Sequence, residues 1–131
     1  MSEPSVTKIQ IPLPANSIIR LTGLTNSGSW GQQINFTTPD GKLYSWTGTG
    51  AQNNKMIGQM NIGPYSSPEQ MLTVTMAYDA GKGYQPSQVQ ADSFNMNGLS
   101  GYVVGGQDGG GRPSGDAYWN TILLVYWAYG Y

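Results

Sequence analysis

Residues 119–129 read Trp119-Asn120-Thr121-Ile122-Leu123-Leu124-Val125-Tyr126-Trp127-Ala128-Tyr129, the most strongly β-prone stretch of the chain. Side chains alternate along a strand, so Thr121, Leu123, Val125, Trp127 and Tyr129 share one face. Ile122, Leu124, Tyr126 and Ala128 share the other. Both faces are apolar. Such a strand is either central and covered on both sides, or has an outer face buried by a second subunit. A chain of 131 residues offers one sandwich interior. The pattern therefore predicts a homodimer or tetramer built through this C-terminal strand.

Upstream, short β-prone runs recur between clusters of Gly, Pro, Asn and Ser, and no amphipathic helix interrupts them. Strands are expected over Lys8 to Leu13 and Ser17 to Leu24. A hairpin joins Gln33–Thr38 to Leu43–Thr47 across Pro39-Asp40-Gly41, where Asp-Gly favours the positive-φ turn. Lys55–Ile62 and Met71–Tyr78 read as the next pair, joined through residues 63–70, GPYSSPEQ. Gln88–Met96 and Ser100–Val104 form a further hairpin over Asn97-Gly98. The fold expected is all-β: a lectin-like antiparallel β-sandwich of about nine strands. One domain spans 1–131, with 1–7 a flexible N-terminal segment.

Six Lys/Arg and seven Asp/Glu give a net charge of −1, and only 10% of residues are charged, against roughly 25% in ordinary domains. Six scattered cations make no basic footprint for nucleic acid. A surface of Ser, Thr, Asn, Gln, Gly and Tyr suits a glycan or other neutral polar ligand, and also self-association. The chain holds no histidine and no cysteine, which removes Ser–His and Cys–His relays and histidine metal sites. Asp108 and Asp116 would be the remaining pair for glycosidic hydrolysis, but two acids bordering a glycine-rich loop read better as turn formers or ligand contacts. No enzyme activity is expected. The start, MSEPSVTKIQ, lacks a secretory signal, and no run is long enough to make a transmembrane segment. The expectation is a soluble protein of cytoplasmic synthesis, with any release by a non-classical route.

Residues 105–118, GGQDGGGRPSGDAY, carry six glycines in fourteen positions. The stretch lacks the Gly-Lys-Ser/Thr ending of a phosphate loop. Backbone freedom there permits close approach of a ligand.

Three stretches, in order, resemble the small bacterial calcium-dependent fucose- and mannose-binding lectins of the Pseudomonas LecB type. The first is Leu13-Pro14-Ala15-Asn16, running on to Thr25-Asn26-Ser27-Gly28. The second is Trp46-Thr47-Gly48 followed by Asn53-Asn54-Lys55-Met56-Ile57-Gly58. The third is Val103 to Gly109, then Asp116-Ala117-Tyr118-Trp119-Asn120, then the apolar strand ending in Trp127. The resemblance covers about Lys8 to Trp127. It implies a dimerising or tetrameric sandwich with sugar bound at the loops of one end, across two adjacent calcium ions.

The calcium ligands are where this sequence departs from those lectins. Gly115, Ala117 and Trp119 stand at positions that resemble the ligand Asp, Asp and Asn, Asn120 at another Asp, and Gln107 at the opening Glu. Asn26 matches a ligating residue by type, and Asp108 the acid after the Glu. Tyr131 extends the chain one residue beyond the C-terminal glycine whose carboxylate completes the neighbouring site. Two divalent ions bring four positive charges, against at most three negative ones from Asp108, Asp116 and a borrowed C-terminus, while calcium needs a dense oxygen cage. No cofactor and no paired metal site are expected; the carbonyl oxygens of Gln107 and Asn120 would suffice for one weakly held calcium ion at most.

Direct contacts then replace metal. Asn26, Gln107, Asp108, Asp116 and Asn120 are the hydrogen-bonding candidates; Tyr118 and Trp119 offer rings. In the lectins it resembles, the loop after the ligating Asn tunes specificity; here that loop is Ser27, Gly28, Ser29 and Trp30, shifted by an apparent insertion near Trp30-Gly31, so neither fucose nor mannose carries over from the resemblance. A different expectation also fits the low charge and apolar last strand. It is a structural, assembly or toxin-like protein using the scaffold for protein or membrane-surface association without sugar.

Overall fold

Strict alternation drives the sheets: along Ile19–Thr25 every second residue, Ile19, Leu21 and Thr25 among them, is fully buried. The computed structural model describes residues 6–26, 30–49, 54–68, 70–107 and 120–128. Ten strands occur among them: β1 (Ile9–Leu13), β2 (Ile19–Thr25), β3 (Gly31–Thr37), β4 (Leu43–Thr49), β5 (Lys55–Ile62), β6 (Gln70–Asp79), β7 (Tyr84–Pro86), β8 (Gln88–Met96), β9 (Leu99–Gln107) and β10 (Thr121–Ala128). One sheet runs β1-β6-β3-β4, with β7 also paired to β6; the other runs β5-β2-β10-β9-β8. Every pairing is antiparallel. No helix occurs among the described residues, and none is long and apolar enough to cross a membrane.

The all-β sandwich is as expected, and so are the hairpins at Asp40-Gly41 and Asn97-Gly98. Two details differ. Residues 55–62 and 70–79 are not a hairpin: β5 pairs with β2 in one sheet and β6 with β3 and β1 in the other. The intervening GPYSSPEQ is a crossover between sheets, and its turn residues look alike in either role. The tenth strand, β7, is short and ends in Pro86. It folds back because the Asp79 carboxylate accepts the N–H groups of Gly81 (2.8 Å) and Gly83 (3.1 Å), capping a turn whose glycines take φ of 110° and 89°.

The core lies between the sheets. Leu21, Val104, Leu123 and Val125 from one meet Ile34, Phe36, Val74 and Met76 from the other. Trp46 on β4 is the largest ring at this interface. It packs edge-on to Phe36, with centroids 4.9 Å apart at 72°. Its indole lies over Gly23 and Gly58, which are cross-strand partners on β2 and β5. A Cβ on Gly58 would stand 2.2 Å from Trp46 Cδ2, and one on Gly23 would stand 2.8 Å from Cε3. Two facing glycines thus form the slot that lets the sheets close on the indole.

β10 is the central strand of its sheet. Thr121, Leu123 and Val125 point inward and are buried, while Ile122, Leu124 and Tyr126 point outward and stay half-buried. The outer face continues in register. One row runs Met56, Leu24, Ile122, Gly105; the next runs Gln59, Thr22, Leu124, Val103, Asp92. Val103 is 38% and Met56 53% exposed, so the outer face carries an uncovered apolar band.

The glycine slot yields a direct test. Gly58→Ala drives a methyl into the indole and should cost about 1–3 kcal/mol, the usual range for overpacking. Thermal unfolding should show a Tm lowered by several degrees. An unchanged Tm would mean that Trp46 is free to move off the slot.

Candidate functional site

Three strand ends meet where β10 begins. Thr121 lies opposite Thr25 on one side and Gly106 on the other. Asn120, one residue earlier, ties both neighbours together. Its N–H donates to the Gly106 carbonyl (3.1 Å), and its carbonyl accepts the Asn26 N–H (2.9 Å) and the Thr25 hydroxyl (3.2 Å). The Asn26 side-chain oxygen in turn accepts the N–H of Asn54 at 2.5 Å. Asn54 sits at φ 57°, a left-handed conformation that asparagine tolerates better than most residues. Gln107 closes β9 at the same end, 3% exposed and opposite Gln88 in the ladder.

Beneath these strand ends the interior turns polar. Thr25, Gln32 and Thr121 are at most 1% exposed. The Thr121 hydroxyl donates to the Gln32 carboxamide oxygen, a bond from one sheet to the other. Buried polar groups are tolerated only when paired, and stranding one costs about 1–3 kcal/mol. This layer therefore holds the strand ends, and the asparagines above them, in one arrangement.

Aromatic surface stands at the same end on the other sheet. Trp30, at the start of β3, is 37% exposed and stacks on Tyr78 with centroids 5.5 Å apart and 23° between planes. A paired, half-exposed ring offers a rigid flat face to an apolar surface.

Of the residues expected from sequence, Asn26, Gln107 and Asn120 come together at adjoining strand ends, and Trp30 lies at that end across the sandwich. Ser27, Gly28, Ser29, Asp108, Asp116, Tyr118 and Trp119 lie outside the described residues. Asn54 was not among the expected site residues. Its signal was its place in the stretch Asn53 to Gly58, directly before a strand.

The donors described here, Asn26, Asn54, Gln107 and Asn120, are neutral amides. Among the described residues no group of three or more His, Cys, Asp or Glu is placed to hold a metal. The one carboxylate at this end that the structure describes, Asp79, is taken up by its own turn. A pair of divalent ions would require several carboxylates in an oxygen cage, and the acids expected beside these amides, Asp108 and Asp116, lie outside the described residues.

Comparison with solved structures places this architecture among bacterial lectins. The fold matches a Ralstonia solanacearum high-affinity mannose-binding lectin at a TM-score of 0.67 and 21% identity, covering 92% of this chain and 96% of that one. It matches the Chromobacterium violaceum lectin CV2L, solved in complex with alpha-methyl-fucoside, at 0.67 and 22%, with the same coverage. The C-terminal domain of the BC2L-C lectin from Burkholderia cenocepacia matches at 0.66 and 20%, again over 92% and 96%. At these identities the likeness concerns the fold. No curated protein sequence matches. The family model of fucose-binding lectin II (PA-IIL) matches residues 10–121. That span contains nearly every strand described above and the asparagine cluster at their ends, and by it this chain belongs to the fucose-binding lectin II family.

Proposed function

We propose that this protein is a lectin for neutral saccharides, not an enzyme, and that it binds them without the paired calcium ions. The observation that carries the reading is the hydrogen-bonded cluster of Asn26, Asn54 and Asn120 at one end of the sandwich, with the Trp30–Tyr78 stack at the same end. Carboxamides present a donor and an acceptor side by side, which matches a hydroxyl. The stacked ring takes the C–H face of a sugar. Gln107 lies beside this cluster, and Asp108, Asp116, Tyr118, Trp119 and the loop Ser27, Gly28 and Ser29 belong to the same reading by sequence. The related lectins whose descriptions name mannose or fucoside support a saccharide as the ligand class.

A second observation bears on assembly. The outer face of β10, with Ile122, Leu124 and Tyr126 flanked by Leu24, Val103 and Met56, is apolar surface of the kind that subunits bury. It supports a homodimer or larger oligomer through the C-terminal strand. An assembly role without sugar rests on the same face, and glycan binding separates the two.

A glycan array run with and without EDTA should show binding to neutral glycans in both conditions. Blanks in both leave only the assembly reading. In the same buffer, millimolar calcium should leave the Tm unmoved. A ligand at a hundredfold excess over its Kd stabilises the folded state by about 2.7 kcal/mol, so a rise of several degrees would show a calcium site and sink the metal-free reading.

Assembly has its own test. Sedimentation should give a dimer or larger at micromolar concentration. Leu124→Lys should weaken it by setting an unpaired charge in the interface. A wild-type monomer would refute it.

A further inference from the structure

At the end of the sandwich opposite the asparagine cluster lies a cleft of about 300 Å³ between two chain segments. One wall is the turn from β3 to β4, with Asp40 and Lys42, and the first inward-leaning ring of β4, Tyr44. The other is the end of β5 with Asn61, followed by Tyr65. The strand directions fix this placement: β2 ends and β5 begins at the asparagine cluster, whereas β3 ends, β4 begins and β5 ends here.

We infer that this cleft is a second saccharide site, for a single neutral pyranose ring, on the pole of the subunit away from Asn26. Its size is at the low end of small-molecule pockets, which span about 300–1,000 Å³, and suits one monosaccharide. Its chemistry combines two phenol rings, a carboxylate and an ammonium, with Asn61 at the rim, where its side-chain oxygen accepts from Arg20. Asp40 and Lys42 offer an acceptor and a donor for neighbouring hydroxyls, and a phenol ring on each wall offers a face to the C–H groups.

The groups are held in place before any ligand arrives. In the turn, the Thr38 N–H donates to the Lys42 carbonyl (2.9 Å) and the Gly41 N–H to the Thr38 carbonyl (2.8 Å). The Thr38 hydroxyl donates to Asp40 Oδ1, which leaves Oδ2 toward the Lys42 ammonium at 3.9 Å. Tyr44 stacks on the buried Phe36, with centroids 5.2 Å apart at 19°. The carbonyl of Tyr65 accepts the Asn16 N–H at 2.7 Å. Preorganised groups of this kind lower the ordering cost of binding.

Ionisation agrees with those roles. The Thr38 hydrogen bond chiefly, outweighing desolvation and with help from its own backbone and Lys42, holds the Asp40 carboxyl below its ordinary value, so it is an acceptor at neutral pH. Burial first, then the charges of Asp40 and Tyr44, raises Tyr65, so its phenol keeps its proton to donate.

The site does not depend on the reading of the asparagine cluster, and one experiment separates them. Methyl glycosides of glucose, galactose, mannose and fucose are titrated at millimolar concentration into the ¹⁵N-labelled protein with EDTA present. At least one should shift the amide signals of Gly41, Asn61, Gly63 and Tyr65. The shifts should survive Asn26→Ala. Asp40→Ala and Tyr65→Ala should each weaken that binding by about tenfold to a hundredfold, the range for losing a hydrogen bond to a charged group or its ring partner. Asp40 and Lys42 side chains are 52% and 69% exposed, so Asp40→Ala keeps the fold, which the rest of its spectrum reports. No shift at these four amides with any glycoside overturns the inference. So do shifts that persist unchanged in both variants. Shifts confined to Asn26, Asn54 and Asn120 overturn it while leaving the first site standing; shifts confined to this cleft do the reverse.

Discussion

The docking of β10 between β2 and β9 is the constraint on which the rest of this molecule depends. It joins residues separated by 95 positions in the chain, since the Thr25 hydroxyl reaches the Asn120 carbonyl. β10 itself does not specify its register, because both of its faces are apolar and a one-residue slip would still bury hydrophobic side chains. The neighbours specify it. A slipped strand would withdraw the Thr121 hydroxyl from Gln32 and leave a buried carboxamide oxygen without that donor. It would also disturb the surroundings of Gly106, against which Met76 packs so closely that a Cβ would stand 2.6 Å from its sulfur. The polar layer at this end therefore both underlies the strand ends and aligns the central strand.

This explains which features were legible in the sequence. The hairpins at Asp40-Gly41 and Asn97-Gly98 were readable because the turn chemistry is local. The alternation of Thr121 to Ala128 was readable for the same reason. The partnership of β5 was not, because residues 63–70 carry turn chemistry that serves a hairpin or a crossover equally well. What decides it is long-range: Trp46 needs Gly23 and Gly58 side by side, so β5 must lie against β2. β7 was missed because three residues ending in proline form a strand only when the Asp79 cap folds them back. At the site, Asn26, Gln107 and Asn120 were found through resemblance and side-chain chemistry. Asn54 escaped because its contribution is a main-chain N–H offered from a left-handed backbone, which a reading of side chains does not register.

Low charge runs through every level of this protein. A buried ion pair carries a desolvation cost that its mutual attraction often fails to offset, whereas Thr–Gln and Asn–backbone bonds can be buried with little net loss once paired. Among the described residues, the buried layer at the asparagine end is built of such neutral groups. Several of the protein's charged residues sit at turns, as with Asp79 under its glycines and Asp40 beside Lys42, and Arg20 and Asp92 lie on the exposed outer sheet face. The two ends consequently differ in kind. One presents amides above a polar floor. The other presents tyrosines and one exposed ion pair above an apolar floor that includes Ile62.

The flat outer face of the β10 sheet completes this division of surfaces. Its apolar band is bounded along one side by Arg20, whose guanidinium donates to Gln59 (2.6 Å) and Asn61 (3.3 Å), and interrupted toward the other edge by Asp92 and Gln90. A polar margin around an apolar centre is the anatomy of a subunit contact. Saccharide chemistry, by contrast, needs side chains that converge, and a flat sheet face sends them out in parallel. Where strands stop and turns bend the backbone, Asn26 meets main-chain groups of Asn54 and Asn120, and Asp40, Tyr44 and Tyr65 line one cleft. The same pleat that leaves an apolar band on the sheet face gathers polar groups at the ends, so the two kinds of surface are separate on one short chain.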